Sequence, residues 1–157
     1  MTPTEAGGGE VSDLQLRPAV PDDVPRLAEV QLAARDASPM PPGLHPLHEV
    51  RDHIAGLFGS SETWVAELDG RIVGYARFTR TWLDDLYVEP SAQGRGVGSA
   101  LLDLVKARHP DGFSLWVFVS NLPARVFYEA RGLVEHLRTD GADNEEKAPD
   151  IHLVWRA

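Results

Sequence analysis

Apolar residues recur along this chain at every second position in some stretches and at every third or fourth in others, and the switches between the two periods mark out its elements. Leu14-Gln15-Leu16-Arg17 alternates and predicts a short strand. After Pro18 and Pro21, Val24, Leu27, Val30 and Ala34 share one helical face, with Asp22 or Asp23 placed to cap it. Ser38 to Pro46 is too rich in proline for a helix, whereas Val50, Ile54, Leu57 and Phe58 predict a second helix over Leu47–Phe58, before Gly59. Trp64–Leu68 and Arg71–Phe78 flank Asp69-Gly70, a dipeptide that accepts the positive φ angles of a tight hairpin turn, so these strands should be antiparallel.

The second half turns from hairpin to crossover. A strand over Trp82–Val88 stops at Pro90, a helix runs from about Gly98 to Arg108, and an apolar strand follows over Phe113–Val119, whose run Leu115–Val119 has the length of a strand buried on both faces. Strand, helix and strand imply a parallel pair joined by a right-handed crossover. Pro123–Arg131 predicts the last helix, with Gly132 as its left-handed end; Leu133–Leu137 and Ile151–Arg156 predict strands on either side of the polar loop Thr139–Pro149. The expected architecture is a mixed α+β domain over residues 13–157, with about seven strands and about four helices. Residues 1–12, with Gly7-Gly8-Gly9, are expected to form a flexible tail.

A formal charge of -9 with no local basic patch argues against nucleic acid or anionic lipid as a partner. The absence of cysteine removes disulfides, thiolate ligands and a cysteine acyl-enzyme, and fits a cytoplasmic location. No run approaches the roughly 20 apolar residues that span a bilayer. His45, His48 and His53 straddle Pro46 without the spacing of a metal site and read as loop and helix-surface residues, so no metal is expected. His109, before Pro110, suits a helix C-terminus. Trp64, Trp116 and Trp155 read as core, and Trp82 is the tryptophan that stands out as a candidate for the site.

The strongest chemical signal is Gln93-Gly94-Arg95-Gly96-Val97-Gly98, placed where a strand feeds a helix. Glycines let backbone N–H groups approach a ligand, and the helix start adds partial positive charge, an arrangement suited to a pyrophosphate with Arg95 as a mobile cation. A Walker loop would require Gly-Lys-Ser/Thr where Gly98-Ser99-Ala100 stands, and the dinucleotide fingerprint fails in either register because Val97 or Leu101 replaces its last glycine. From the turn alone, close strand-to-helix packing is the alternative to phosphate binding.

This stretch resembles the signature of the GCN5-related N-acetyltransferase (GNAT) family, Gln/Arg-x-x-Gly-x-Gly/Ala. The likeness extends to Leu86-Tyr87-Val88-Glu89-Pro90 before it and to Asn121, Ala124, Phe127-Tyr128-Glu129 and Gly132-Leu133 after it, covering roughly residues 14–156. The resemblance implies a mostly antiparallel mixed sheet splayed at a central parallel strand pair, with acetyl-CoA as co-substrate and a primary amine of a small molecule or peptide as acceptor. It further implies that amides from Gly94 to Ser99, with Gln93, hold the pyrophosphate. Leu86, Tyr87 and Val88 would pair with the pantetheine arm, the Val88 N–H lying near the thioester carbonyl, and Asn121 would hydrogen-bond the arm.

Tyr128 takes, by the same resemblance, the position beside the departing sulfur. Unperturbed phenol and thiol pKa values of about 10 and 8.5 make a hydrogen bond or a relayed proton more favourable than full donation. Some relatives carry a carboxylate at the place of Asp84, as base or as ligand for a cationic acceptor; Asp85 is the second candidate, and a water chain the third. Period-two alternation puts Asp84 with Leu86 and Val88, and Asp85 with Tyr87 on the other face. Other relatives carry a glutamate two residues earlier, where Trp82 stands here. Ser38–Phe58 and the acidic loop Thr139–Pro149 would border the acceptor, which favours a cationic one, although a merely solvated acidic loop explains the same residues. A homodimer fits the resemblance. A non-catalytic acyl-CoA sensor and a nucleotide-binding module are the competing functions.

Overall fold

A computed structural model describes residues 13–157; the expected tail lies outside the described residues. Among the described residues, seven strands and four α-helices follow one another as β1 (Leu14–Pro18), α1 (Val24–Asp36), α2 (Leu47–Gly56), β2 (Glu62–Leu68), β3 (Arg71–Phe78), β4 (Leu83–Val88), α3 (Val97–Arg108), β5 (Phe113–Phe118), α4 (Leu122–Ala130), β6 (Val134–Thr139) and β7 (Asp150–Trp155). The helix predicted to reach Phe58 ends two residues earlier, at Gly56.

The strands form two blocks, β1-β2-β3-β4 and β5-β7-β6, each antiparallel between neighbours. Asp69 and Gly70 take φ values of 53° and 78°, the left-handed turn their sequence demanded, and set Leu68 opposite Arg71. The parallel strands β4 and β5 meet through a bridge between Trp82 and Ser114, where the Ser114 amide donates to the Thr81 carbonyl at 2.9 Å. Beyond it they part, so the seven-stranded sheet expected from the pattern is a sheet split at its parallel pair.

Two apolar clusters hold this frame. Val24, Leu27, Val30, Val50 and Ile54 from α1 and α2 pack with Val65, Ile72 and Tyr75 on one side of the first sheet. Val97, Leu101, Leu102 and Val105 of α3 lie on its other side in a cluster that continues to Leu115, Ile151, Leu153 and Tyr128, and so joins the two blocks. The capping role expected of Asp22 or Asp23 is not what the structure shows. Asp23 starts α1, but its carboxylate accepts from the Val20 amide at 2.8 Å and from Arg17 at 2.8 Å, across a short 3-10 turn. His109 is buried behind the C-terminus of α3, its Nδ1 2.8 Å from the Val105 carbonyl and its Nε2 2.6 Å from that of Thr79.

Gly74 fixes how closely β4 and α3 approach β3. A Cβ there would lie 2.9 Å from the Tyr87 carbonyl oxygen and 3.1 Å from Val97 Cγ1, so neither strand nor helix can stay in place around a larger residue. Gly74→Val is expected to destabilise the fold by about 2 kcal/mol or more, read as a lower urea midpoint; an unchanged midpoint would refute this packing argument.

Candidate functional site

Where β4 leaves β5, the chain encloses an open cavity of about 730 Å³. Its walls follow from the alternation of the strand. The Glu89 amide donates to the Val73 carbonyl at 2.8 Å, so successive N–H groups place those of Leu86 and Val88 on the edge facing away from β3, toward the opening. Gln93 Nε2 donates to the Val88 carbonyl at 3.1 Å and ties the turn to this edge.

The turn itself is built as the glycines required. Gly94 and Gly96 have φ values of 78° and 83°, and a Cβ at either would meet nothing within 4 Å, so their backbone borders open space. The first intrahelical bond of α3 runs from Ala100 to the Gly96 carbonyl at 3.0 Å, which leaves the amides of Val97, Gly98 and Ser99 as helix-start donors. Gly98 packs against Phe127: a Cβ there would touch the ring at 3.4 Å.

Leu86, Tyr87, Val88, Gln93, Gly94, Gly96, Val97, Gly98, Ser99, Asn121 and Tyr128 all border the cavity, as do Asp84 and Asp85; Arg95 is exposed and does not. A second cation beside the turn, and one that does border the cavity, is Arg131, which sequence reasoning left as a helix end. Its guanidinium donates to Ser99 Oγ at 2.8 Å and to the Phe127 carbonyl at 3.0 Å, and lies 3.9 Å over the Phe127 ring. An arginine four positions after an aromatic on one helix was the available signal. Asn121 caps α4, its Oδ1 accepting from the Ala124 amide at 3.4 Å, while its Nδ2 faces Met40 Sδ at 3.9 Å.

The two aspartates are not separated as alternation predicted. Arg77 pairs with Asp85 and Phe78 with Leu83, so Asp84 is an extra residue, a bulge in β4. The bulge brings both carboxylates to Arg77, at 2.7 Å from Asp85 and 3.5 Å from Asp84. Burial pushes the Asp84 carboxyl above its ordinary value; Arg77 opposes this and Asp85 adds to it. Burial likewise raises Tyr128, with Tyr87 and Asp85 contributing, and pushes Tyr87 up to about 12, so both phenols are neutral O–H groups at neutral pH.

Trp116 corrects the expectation that it belongs to the core: it is 47% exposed and forms part of the cavity wall. Trp82 stacks on it, with centroids 6.1 Å apart and planes within 10°. Trp64 and Trp155 do pack against the main cluster. On the other rim, Arg35 Nη2 reaches Glu146 at 3.3 Å and the Pro41 carbonyl at 3.2 Å, and His45 lies 2.8 Å from Glu49 and 2.5 Å from Glu145. These contacts fasten the loop after α1 to the acidic loop before β7. Of the acidic residues there, Glu145 and Glu146 are engaged in these pairs, and Asp140 accepts from the Ala142 amide at 2.9 Å.

The Acetyltransferase (GNAT) domain model matches residues 59–135. The chain is 33% identical over 97 residues to the peptidyl-lysine N-acetyltransferase YiaC of Escherichia coli, a match covering 61% of this chain and 64% of that protein. It thus spans less than two thirds of that relative. An uncharacterized N-acetyltransferase of Methanocaldococcus jannaschii, MJ1530, is 32% identical over 114 residues, 59% of this chain and 73% of that one. The fold superposes on yncA of Salmonella typhimurium, solved with its cofactor acetyl-CoA, with a TM-score of 0.70 at 15% identity over 92% of this chain and 94% of that one. The split sheet, the glycine turn at the start of α3 and these matches lead to one conclusion: this chain belongs to the GCN5-related N-acetyltransferase family.

Proposed function

We propose that this protein is an acetyl-CoA-dependent N-acetyltransferase that moves the acetyl group directly to a primary amine of a small molecule or peptide. The observation that carries this reading is the meeting of three elements in one cavity: the free edge of β4 at Leu86 and Val88, the open amide turn from Gly94 to Ser99, and the Tyr128 side chain. The residues fit the coenzyme. The turn offers amides and a helix start to a diphosphate, with Arg131 beside it, and the β4 edge offers alternating donors and acceptors to an amide-bearing arm. YiaC is named a peptidyl-lysine N-acetyltransferase, and its likeness supports an amine acceptor here.

When bound, acetyl-CoA supplies an electrophilic thioester carbon. The Val88 N–H, on the free edge of β4, would donate to the carbonyl oxygen as negative charge develops there. An amine with pKa near 10.4 is mostly ammonium at neutral pH, so Asp84, directly or through water, takes one proton before attack. The nitrogen then forms the new C–N bond, the C–S bond breaks, and its electron pair leaves with sulfur. Tyr128 hydrogen-bonds that sulfur, and the nitrogen's second proton completes the free thiol. No acyl-enzyme is needed. Asp84 and Tyr128 in the cavity favour this reading over a coenzyme sensor without turnover.

The test pairs calorimetric titration of acetyl-CoA with thiol release in the presence of primary amines. Binding with amine-dependent release is expected; coenzyme binding with no release from any amine would support the sensor instead. Gly96→Val, which forces a branched residue to φ near 83°, is expected to weaken acetyl-CoA about tenfold or more. Unchanged affinity in a folded variant would remove the turn from coenzyme binding.

A further inference from the structure

An aromatic row runs from the cavity across the second sheet, and no part of the reaction just described uses it. Trp116 on β5 lies opposite His152 on β7, and a register shift in β6 leaves His136 as an extra residue beside that pair. The rings pack in sequence: Trp82 on Trp116, both against His152 at 5.0 and 5.2 Å, and His136 edge-on to His152 at 5.0 Å. His152 Nε2 is buried in this stack with no hydrogen-bond partner. Trp116 is therefore held by ring contacts with Trp82 and His152 while it stays 47% exposed and borders the cavity. Such a ring is a rigid platform that loses little conformational freedom on contact with a ligand.

The charges around the platform select what lies on it. Arg35, at the opposite wall, is held by Glu146 and the Pro41 carbonyl, and Arg77 is held by Asp85. Against these two guanidiniums stand three carboxylates, so Asp84 is in surplus. Arg131, the cation farther along the cavity, is engaged by Ser99 and the Phe127 carbonyl. Among the described residues the cations lining the cavity are Arg35, whose Nη2 is occupied by Glu146 and the Pro41 carbonyl and whose Nε is buried out of reach of a ligand, and Arg131, which lies beside the glycine turn and away from Asp84. Burial and the neighbouring His136 hold His152 below its ordinary value, so the stack carries no charge there that would repel a cation. Met40 and Phe118 complete the wall with apolar surface.

We propose that the acceptor is a primary alkylammonium on an unbranched aliphatic stem, as on a lysine side chain or an α,ω-diamine, with its methylenes across Trp116 and its nitrogen directed to Asp84. This rests on the acetyltransfer reading above. The ring face attracts both the cationic end and the polarised C–H groups next to it. The same geometry disfavours free α-amino acids, whose carboxylate would face Asp84.

The experiment measures acetyl-CoA-dependent thiol release with four acceptors: a terminally blocked glycyl-lysyl-glycine, 1,5-diaminopentane, L-glutamate and 4-aminobenzoate. At least one of the first two is expected to exceed both of the others by about tenfold or more in kcat/KM, and comparison of the peptide with the diamine identifies the source of the stem. Trp116→Ala is expected to raise KM for the preferred stem about tenfold with acetyl-CoA affinity retained, and Trp116→Phe to restore most of the loss. Preference for either carboxylate-bearing amine, or a KM unchanged in Trp116→Ala, overturns the acceptor assignment while leaving acetyltransfer intact. Coenzyme binding without turnover of either stem also overturns it. Failure of calorimetry to detect acetyl-CoA binding, with no thiol release, overturns both readings.

Discussion

Tyr128→Phe is expected to lower kcat by about 10- to 100-fold while the acetyl-CoA dissociation constant stays within about twofold, because the lost interaction is with charge that develops on sulfur during reaction. The phenol is buried and its proton is held more tightly than in water, so in this mechanism it would donate a hydrogen bond to sulfur without giving the proton up. Phenylalanine keeps the edge-on packing of rings 127 and 128, 5.2 Å apart, and removes only the hydroxyl. Steady-state rates combined with calorimetry separate the two quantities. Equal turnover in the variant would take Tyr128 out of the chemistry and leave it as packing.

Asp84→Asn is expected to lower kcat/KM by about 10²- to 10⁴-fold at neutral pH, the usual span for loss of a general base. With the native residue, activity is expected to rise with pH through the raised Asp84 value, since the carboxylate form would accept the proton; in the asparagine variant that limb is expected to be absent. Stability moves the other way. The folded state holds the Asp84 proton more tightly than the unfolded chain, whose value is near 3.9, so this group removes stability as pH rises from the unfolded value through the folded one. Asp84→Asn therefore raises the melting temperature at neutral pH while it removes activity. A variant that keeps its rate would identify Asp85 or water as the proton acceptor.

Much of this molecule could be read before its coordinates. Every strand and helix follows from local periodicity, and the Asp69-Gly70 hairpin and the left-handed glycines at 94 and 96 follow from backbone sterics that act within a few residues. What escaped the sequence depends on partners distant along the chain. The Asp84 bulge is invisible to an alternation argument, which assumes an unbroken ladder with β3, and so the shared contact with Arg77 could not be foreseen. Trp116 sits in an apolar run and has the composition of a core residue, and nothing local shows that it stays 47% exposed and borders the cavity. The row from Trp82 to His136 draws one ring from each of four segments, and no spacing rule links them. Arg131 meets Ser99 across 32 positions, beyond the reach of any helical pattern.

The bridge at Trp82 and Ser114 makes the split sheet a wedge with its apex at one end. A ligand seated between the two blades touches both, so occupancy adds to the contacts that the α3 cluster already makes between them. Ligand binding and thermal endurance are thereby coupled: a saturating ligand at 100 times its dissociation constant adds about 2.7 kcal/mol to the folded state, and the ligand-free form is the one most exposed to unfolding.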